Sequence, residues 1–164
     1  MVQQGQIDHL LQETSQILPP PALVLQAYLQ DHEAAYKESV ESTEGFWEDV
    51  AKELEWFKPW DKVFQWDYPT FQWFLGAKCN ITHNALDRHL TNGNKNKAAF
   101  IFLGEDGSER VFTYGRLAQL VNRLANGLKS LGVKKGDRVS IYMPMVPEAA
   151  VAMLACARIG AMHS

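Results

Sequence analysis

The sequence predicts a mixed α/β chain in which a helical and irregular N-terminal extension precedes a series of strand–helix units. Three observations carry that expectation. Leu117, Leu120, Val121, Leu124, Leu128 and Leu131 recur at three- and four-residue steps, the period of one helix face. Two apolar runs flank Glu105-Asp-Gly-Ser108, and Asp-Gly between such runs signals a hairpin. A strand-like Arg138–Met143 is followed by a nearly chargeless helical segment, Glu148–Ile159. Strand, strand, helix, strand, helix is the order in which an α/β domain begins.

Composition narrows the function classes. The chain has 164 residues, 46% of them hydrophobic and 21% charged, enough to bury a core and without low-complexity character. The net charge of −3 is unevenly spread. Residues 1–62 carry 12 acidic and 4 basic side chains, residues 63–164 carry 7 acidic and 12 basic. We read the acidic half as solvated helix faces. Neither half clusters Lys and Arg with interleaved aromatics, so no nucleic acid is expected as a partner. The N-terminus has no basic stretch leading into an apolar run, and the longest apolar run, near the C-terminus, is Ala-rich, contains charges and falls short of a membrane span. Cys79 and Cys156 lie far apart and make neither a disulfide framework nor a zinc pattern. A cytoplasmic setting is the expectation.

Taken in order, residues 1–21 are Gln-rich and closed off by Pro19-Pro-Pro21, which predicts a weakly ordered arm. Residues 22–78 form the extension. Leu25, Tyr28, Leu29, Ala35 and Tyr36 mark a rough helical stripe up to about Glu38. Ser42 or Thr43 caps a second helix carrying Phe46, Val50, Leu54 and Phe57, with Lys58-Pro59 as its stop. Residues 46–74 hold 11 of the 18 aromatic side chains, which we read as anchors for a thin segment rather than as a ligand cage. Val63–Phe74 reads as extended chain. Residues 79–164 form the α/β part. It opens with a helix over Asn80–Leu90, capped by Asn80 or Thr82, with Ile81, Ala85 and Leu86 inward. Ala98–Leu103 and Arg110–Phe112 are the hairpin strands, and Thr113 caps the leucine helix, which packs on a sheet and stops at Gly132.

The candidate sites are weak. Gly132-Val-Lys-Lys-Gly-Asp137 has the glycines and lysines of a phosphate loop, but it runs from a helix C-terminus into a strand, the reverse of what phosphate binding requires. It is read as a turn. His83 and His89, six apart on one expected helix, point about 120° apart and do not share a metal. Asp87-Arg88 is read as solvated helix surface, Asp137-Arg138 as a local charge pair, and His163 as structural. Cys156 is expected to be a buried free thiol. No residue is assigned a catalytic, cofactor-binding or metal-binding role.

Several runs carry a family resemblance. Phe112-Thr-Tyr-Gly-Arg-Leu117, Val121-Asn-Arg-Leu-Ala-Asn-Gly-Leu128, Leu131-Gly-Val-Lys-Lys-Gly-Asp-Arg-Val139 and Ile141-Tyr-Met-Pro144 occur in the order seen at the opening of adenylate-forming acyl-coenzyme A ligases. Met143 to Ser164, Asn80-Ile-Thr-His-Asn-Ala-Leu-Asp-Arg-His-Leu90 and Phe46-Trp47 resemble the AMP-forming acetyl-coenzyme A synthetases within that family. The resemblance covers roughly residues 35–164. It implies that residues 22–78 are the N-terminal extension of that type and 79–164 the start of the AMP-binding domain. It further implies a two-step reaction, with Mg²⁺ present: a small carboxylate attacks the α-phosphate of ATP to give an acyl-adenylate and pyrophosphate, and the coenzyme A thiol then displaces AMP. Every catalytic motif of the family would lie beyond Ser164. The chain is therefore expected to be the front of a larger ligase that supplies its partners, the rest of the AMP-binding domain and a C-terminal domain. ATP, Mg²⁺ and coenzyme A belong to that parent and are not expected to bind this segment tightly. A free-standing docking module, or the front of a ligase for another short-chain or cyclic acid such as propionate, stays open. The resemblance also places Gly115 and Arg116 where relatives carry a capping carboxylate. The nearly apolar Glu148–Ile159 helix, finally, is expected to need covering neighbours that these residues do not supply.

Overall fold

The computed structural model describes residues 31–164. The expected arm over 1–21 and the start of the helical stripe at Ala22 lie outside the described residues. The chain divides into two compact units, 1–46 and 47–164. Described residues of the first unit form helix α1, His32–Glu41, and the start of α2, Thr43–Ala51. Asp31 caps α1 by accepting from the Ala34 amide at 2.9 Å, and α1 buries none of its residues. An acidic, solvated helix is what the charge distribution predicts here.

In the second unit α2 ends at Ala51, six residues before Phe57. Leu54 and Phe57, expected on its inner face, are 42% and 64% exposed. The Trp56 indole nitrogen donates to the Ala51 carbonyl at 2.8 Å, so a side chain ends the helix where a further turn was expected. Strands β1, Lys62–Asp67, and β2, Thr70–Leu75, pair antiparallel in register from Lys62–Leu75 to Asp67–Thr70. The extended stretch is thus a hairpin, closed around a cis Tyr68–Pro69 bond. Its rings and those of the preceding segment make one run of contacts, joined where Trp73 and Phe74 lie 5.9 Å apart. Phe64 and Trp73 sit 4.5 Å apart across the strands. Trp56, Trp60 and Phe74 pack mutually at 5.2–5.5 Å between centroids. Phe74 has φ 51°, a left-handed conformation unfavourable for a bulky side chain, and its ring packs on Trp56 and Trp60. Anchoring accounts for Trp56, Trp60, Phe64, Trp73 and Phe74, whereas Trp66, Tyr68 and Phe71 are 68%, 84% and 63% exposed.

The expected helix over Asn80–Leu90 is instead two short pieces, α3 at Ile81–Ala85 and a 3₁₀ turn at Asp87–Leu90, broken at Leu86. Its inward face also differs. Ile81 is 62% exposed and Ala85 is exposed, whereas Thr82, Asn84 and Leu86 are buried. Polar residues turn inward because they have backbone to bind, as described below.

Strands β3, Ala98–Leu103, and β4, Glu109–Thr113, form the expected hairpin, with Gly107 at φ 80° in its turn. Helix α4, Tyr114–Ser130, follows, capped by Thr113, which accepts from the Arg116 amide at 3.2 Å. Glycine at 115 has its own reason: the Gly115 amide donates to the Lys95 carbonyl at 2.8 Å, and a Cβ there would stand 3.2 Å from that oxygen. Strand β5, Arg138–Val139, pairs in parallel with β6, Met162–His163, and helix α5, Pro147–Ile159, connects them. The strand expected over Arg138–Met143 is shorter, though Ile141 still donates to the Ser164 carbonyl at 2.7 Å.

The core lies between α4 and α5. Leu117, Ala118, Val121 and Ala125 of α4 meet Val151 and Ala155 of α5, with Leu86 inserted beside them. The leucine helix thus packs mainly on a helix, and Leu131, expected inside, is 82% exposed because α4 has ended. Along α5 only Glu148 and Met153 are exposed. The described residues cover one side of this apolar helix: α3 and α4 bury Val151, Ala152, Ala155 and Cys156, while Ala149, Ala150, Leu154 and Ala157 stay half-buried and Met153 is 47% exposed. Small residues at Ala152, Ala155 and Cys156 allow that close approach. The wedge position of Leu86, 1% exposed, makes it the test of this packing. Leu86→Ala should lower unfolding free energy by about 2–5 kcal/mol, read from the midpoint of chemical denaturation.

Candidate functional site

The densest polar cluster is built by the segment Asn80–Arg88. Asn80 works in both directions. Its side-chain oxygen caps α3 by accepting from the Thr82 amide at 2.9 Å, and its amide nitrogen donates to the Ala157 and Arg158 carbonyls at 2.9 and 3.2 Å. Thr82 donates to the Leu154 carbonyl at 2.9 Å. Asn80 therefore serves carbonyls in the last turn of α5, which the helix's own ladder leaves open, while Thr82 adds a second bond to a carbonyl one turn earlier. Asn84 makes a two-point pairing with residue 55: it accepts from the Glu55 amide at 2.7 Å and donates to the Glu55 carbonyl at 3.0 Å.

Charges complete the cluster. Arg158 grips Asp87 with two nitrogens, at 2.7 and 3.0 Å, with side chains only 22% and 27% exposed. The fork geometry and partial burial make this a stronger pair than surface ones. Asp87 is therefore no solvated residue. Nor is Arg88, which donates to the Glu53 carbonyl at 3.0 Å and lies 3.9 Å from Glu55. His83 contacts Glu55 at 2.7 Å and stands 3.8 Å from Asp87. His89 packs against the Tyr114 ring, 4.6 Å between centroids, and contacts Asn92. The two histidines do not share a helix, since Leu86 breaks it, so the 120° argument does not apply; separate partners keep them apart. Among the described residues no group of three His, Cys, Asp or Glu is placed to hold a metal ion. This cluster clasps chain to chain. Its chemistry is cohesion.

A second feature is an open groove of about 750 Å³ between β4, α4 and the start of α5. Arg110, Arg116 and Arg123 rim it above Phe112, Leu120, Leu124 and Val151. Arg110 pairs with Glu148 at 3.0 Å and lies 5.1 Å over the Phe112 ring. The guanidinium holds the Glu148 carboxyl below the ordinary carboxylate range. Sequence reasoning missed this rim. The signal was there: Arg116, Leu120 and Arg123 fall on one helical stripe.

Other expected features stand as follows. Gly132–Asp137 is a turn, with Gly132 and Gly136 at φ 91° and 89°, and the Gly136 amide donates to the Gly160 carbonyl at 2.9 Å. Asp137 binds the Lys134 amide at 2.7 Å rather than pairing with Arg138, which donates to the Gly136 carbonyl. His163 lies in β6 and is exposed. Cys79 is exposed; Cys156 is buried, and burial pushes its thiol up from the ordinary value.

Residues 32–85 match the family described as acetyl-coenzyme A synthetase N-terminus, and residues 86–164 match that described as AMP-binding enzyme. The two matches abut and together span residues 32–164. The chain is similar to the acetyl-coenzyme A synthetases: 47% identical over 96% of the chain to that of Deinococcus radiodurans, and 46% over 94% to that of Methanothrix thermoacetophila. In both cases the chain spans about a quarter of the relative's length, 25%. A solved acetoacetyl-CoA synthetase from Streptomyces lividans superposes with a TM-score of 0.73 and 32% identity, covering 81% of this chain and 21% of that one.

Two outcomes follow. Asn84→Ala strips the Glu55 amide of its partner and should destabilise by about 1–3 kcal/mol in thermal or urea unfolding. Cys79 should react promptly with a thiol reagent, and Cys156 only after denaturant is added. Because the folded Cys156 thiol titrates above its unfolded value, its contribution is complete below the unfolded pKa and lost as pH rises through the folded one.

Proposed function

We propose that the chain is the N-terminal part of an acetate–coenzyme A ligase, an enzyme that activates acetate with ATP to acetyl-AMP and transfers the acetyl group to coenzyme A. The observation that carries the reading is the abutting of two family matches, 32–85 and 86–164, in one uninterrupted run. Acetate is favoured over acetoacetate because identity to the acetyl-coenzyme A synthetases, 46–47%, exceeds the 32% to the acetoacetyl enzyme. On this reading residues 22–78 are the extension and 79–164 the beginning of the AMP-binding domain. Mg²⁺ accompanies ATP in the first step, and the setting is cytoplasmic.

The 164 residues themselves contribute scaffold on this proposal. The clasp ties residues 53–55 to α3 and the 3₁₀ turn and those in turn to α5, and α4 and α5 form the first packed layer on which later strands build. None of the residues of the clasp or the groove is a catalytic residue. The partner they serve is the remainder of the ligase.

The test compares two proteins. The 164-residue chain should give no acetate-dependent exchange between ATP and pyrophosphate. A protein carrying it within the full length of the relatives should give robust exchange, with acetate preferred to propionate and acetoacetate in kcat/KM. Exchange by the short chain would overturn the scaffold reading, and preference for another acid would overturn the choice of acetate.

A further inference from the structure

On the face formed by the end of α4, the turn before β5 and the end of α5 lies a second concavity of about 370 Å³. Its polar side chains come from three elements: Asn122, Asn126 and Lys129 from α4, Lys134 and Lys135 from the turn, and Arg158 from α5. The α4 residues are spaced four and three apart, so they form one stripe directed at the same place. No carboxylate lines the concavity. Among the described residues Lys129, Lys134 and Lys135 form no ion pair, whereas Arg158 is held by Asp87.

Two features hold these donors in place. The Gly136 amide donates to the Gly160 carbonyl at 2.9 Å, which ties the turn to α5. The aliphatic stem of Lys135 lies across Gly160, where a Cβ would stand 2.9 Å from Lys135 Cγ. Glycine at 160, φ 75°, thus allows both the helix stop and the seating of the lysine.

The plain alternative is that these cations only complement helix ends. The C-termini of α4 and α5 converge here, each worth roughly half a negative charge. Three unpaired lysines exceed that sum. Even with the Asp137 carboxylate counted, which binds the Lys134 amide, a surplus of about one positive charge remains, beside two asparagine amides that make no hydrogen bond among the described residues. Point-charge ammonium groups and amide donors converging on one concavity suit a compact oxyanion with several acceptors.

We propose that this concavity is a binding site for a phosphate-bearing anion of the diphosphate class, independent of the reading of the chain as ligase scaffold. A linked pair of phosphates spans from the Asn122–Asn126–Lys129 stripe to Lys134 and Lys135, and the exposed mouth admits either inorganic pyrophosphate or the diphosphate of a nucleotide.

The test uses the isotope-labelled 164-residue chain, titrated with inorganic pyrophosphate and separately with ADP at about 0.15 M ionic strength, where bare surface attraction is screened beyond roughly 8 Å. Saturable shifts are expected at the backbone amides of residues 134–136 and the side-chain amides of Asn122 and Asn126. Calorimetry should give a Kd at least tenfold weaker for the doubly substituted Lys134→Gln, Lys135→Gln chain, whose exposed substitutions leave the folded spectrum unchanged. Lys62→Gln, on β1, should bind like the unsubstituted chain. Equal affinity for the two probes identifies the phosphates as the ligand, and tighter ADP binding adds a nucleotide; both support the site. Shifts that rise linearly without saturating, or that spread over Arg110, Arg116 and Arg123, would overturn it. So would undiminished affinity in the double substitution.

Discussion

The amide of Asn80 stands at a junction on which the rest of this structure depends. One end of the group closes the start of α3, the other closes the finish of α5, 77 residues further along the chain. An apolar helix buried at its end leaves carbonyls that no water reaches cheaply, and an unmatched buried acceptor costs about 1–3 kcal/mol. Asn80 meets that requirement at Ala157 and Arg158 with a short side chain that also caps α3. Helix α5 is thereby fixed at its C-terminal end, and β6, which begins three residues after it, inherits its position against β5.

From that junction the structure extends in two directions. Asn84, Arg88 and His83 draw in residues 53–55, so the stretch that follows α2 is held by hydrogen bonds to backbone rather than by a deep apolar core. Leu86 turns the other way and fills the space between α4 and α5. A short segment thus does two jobs at once, polar toward the extension and apolar toward the helical layer. The aromatic rings of Trp56, Trp60 and Phe74 reinforce the first contact where aliphatic residues are few.

How much of this was legible in the sequence depends on whether the determinant was local. The hairpin at Asp106-Gly107, the Thr113 cap, the leucine-rich α4, the stop at Gly132 and the span of α5 are encoded within a few residues each, and the structure contains them. Asn80–Leu90 was read as one helix because its apolar spacing allows it; the break at Leu86 answers to α4 and α5, which local spacing does not reveal. For the same reason Asp87 passed as surface, since its partner Arg158 lies 71 residues away. The end of α2 and the pairing of β1 with β2 involve ring contacts closer in sequence, Trp56 with the Ala51 carbonyl and Phe64 with Trp73, which apolar spacing alone does not show. Of the polar clusters, only their residue types were visible beforehand.

The interruption at Leu86 has a consequence for anyone altering this chain. Replacing residues here with stronger helix formers would favour one continuous helix, whose regular rotation of about 100° per residue swings the carboxylate of residue 87 off its guanidinium. Gains in local propensity would then work against the whole. In this segment, the less ideal conformation is the one that the fold selects.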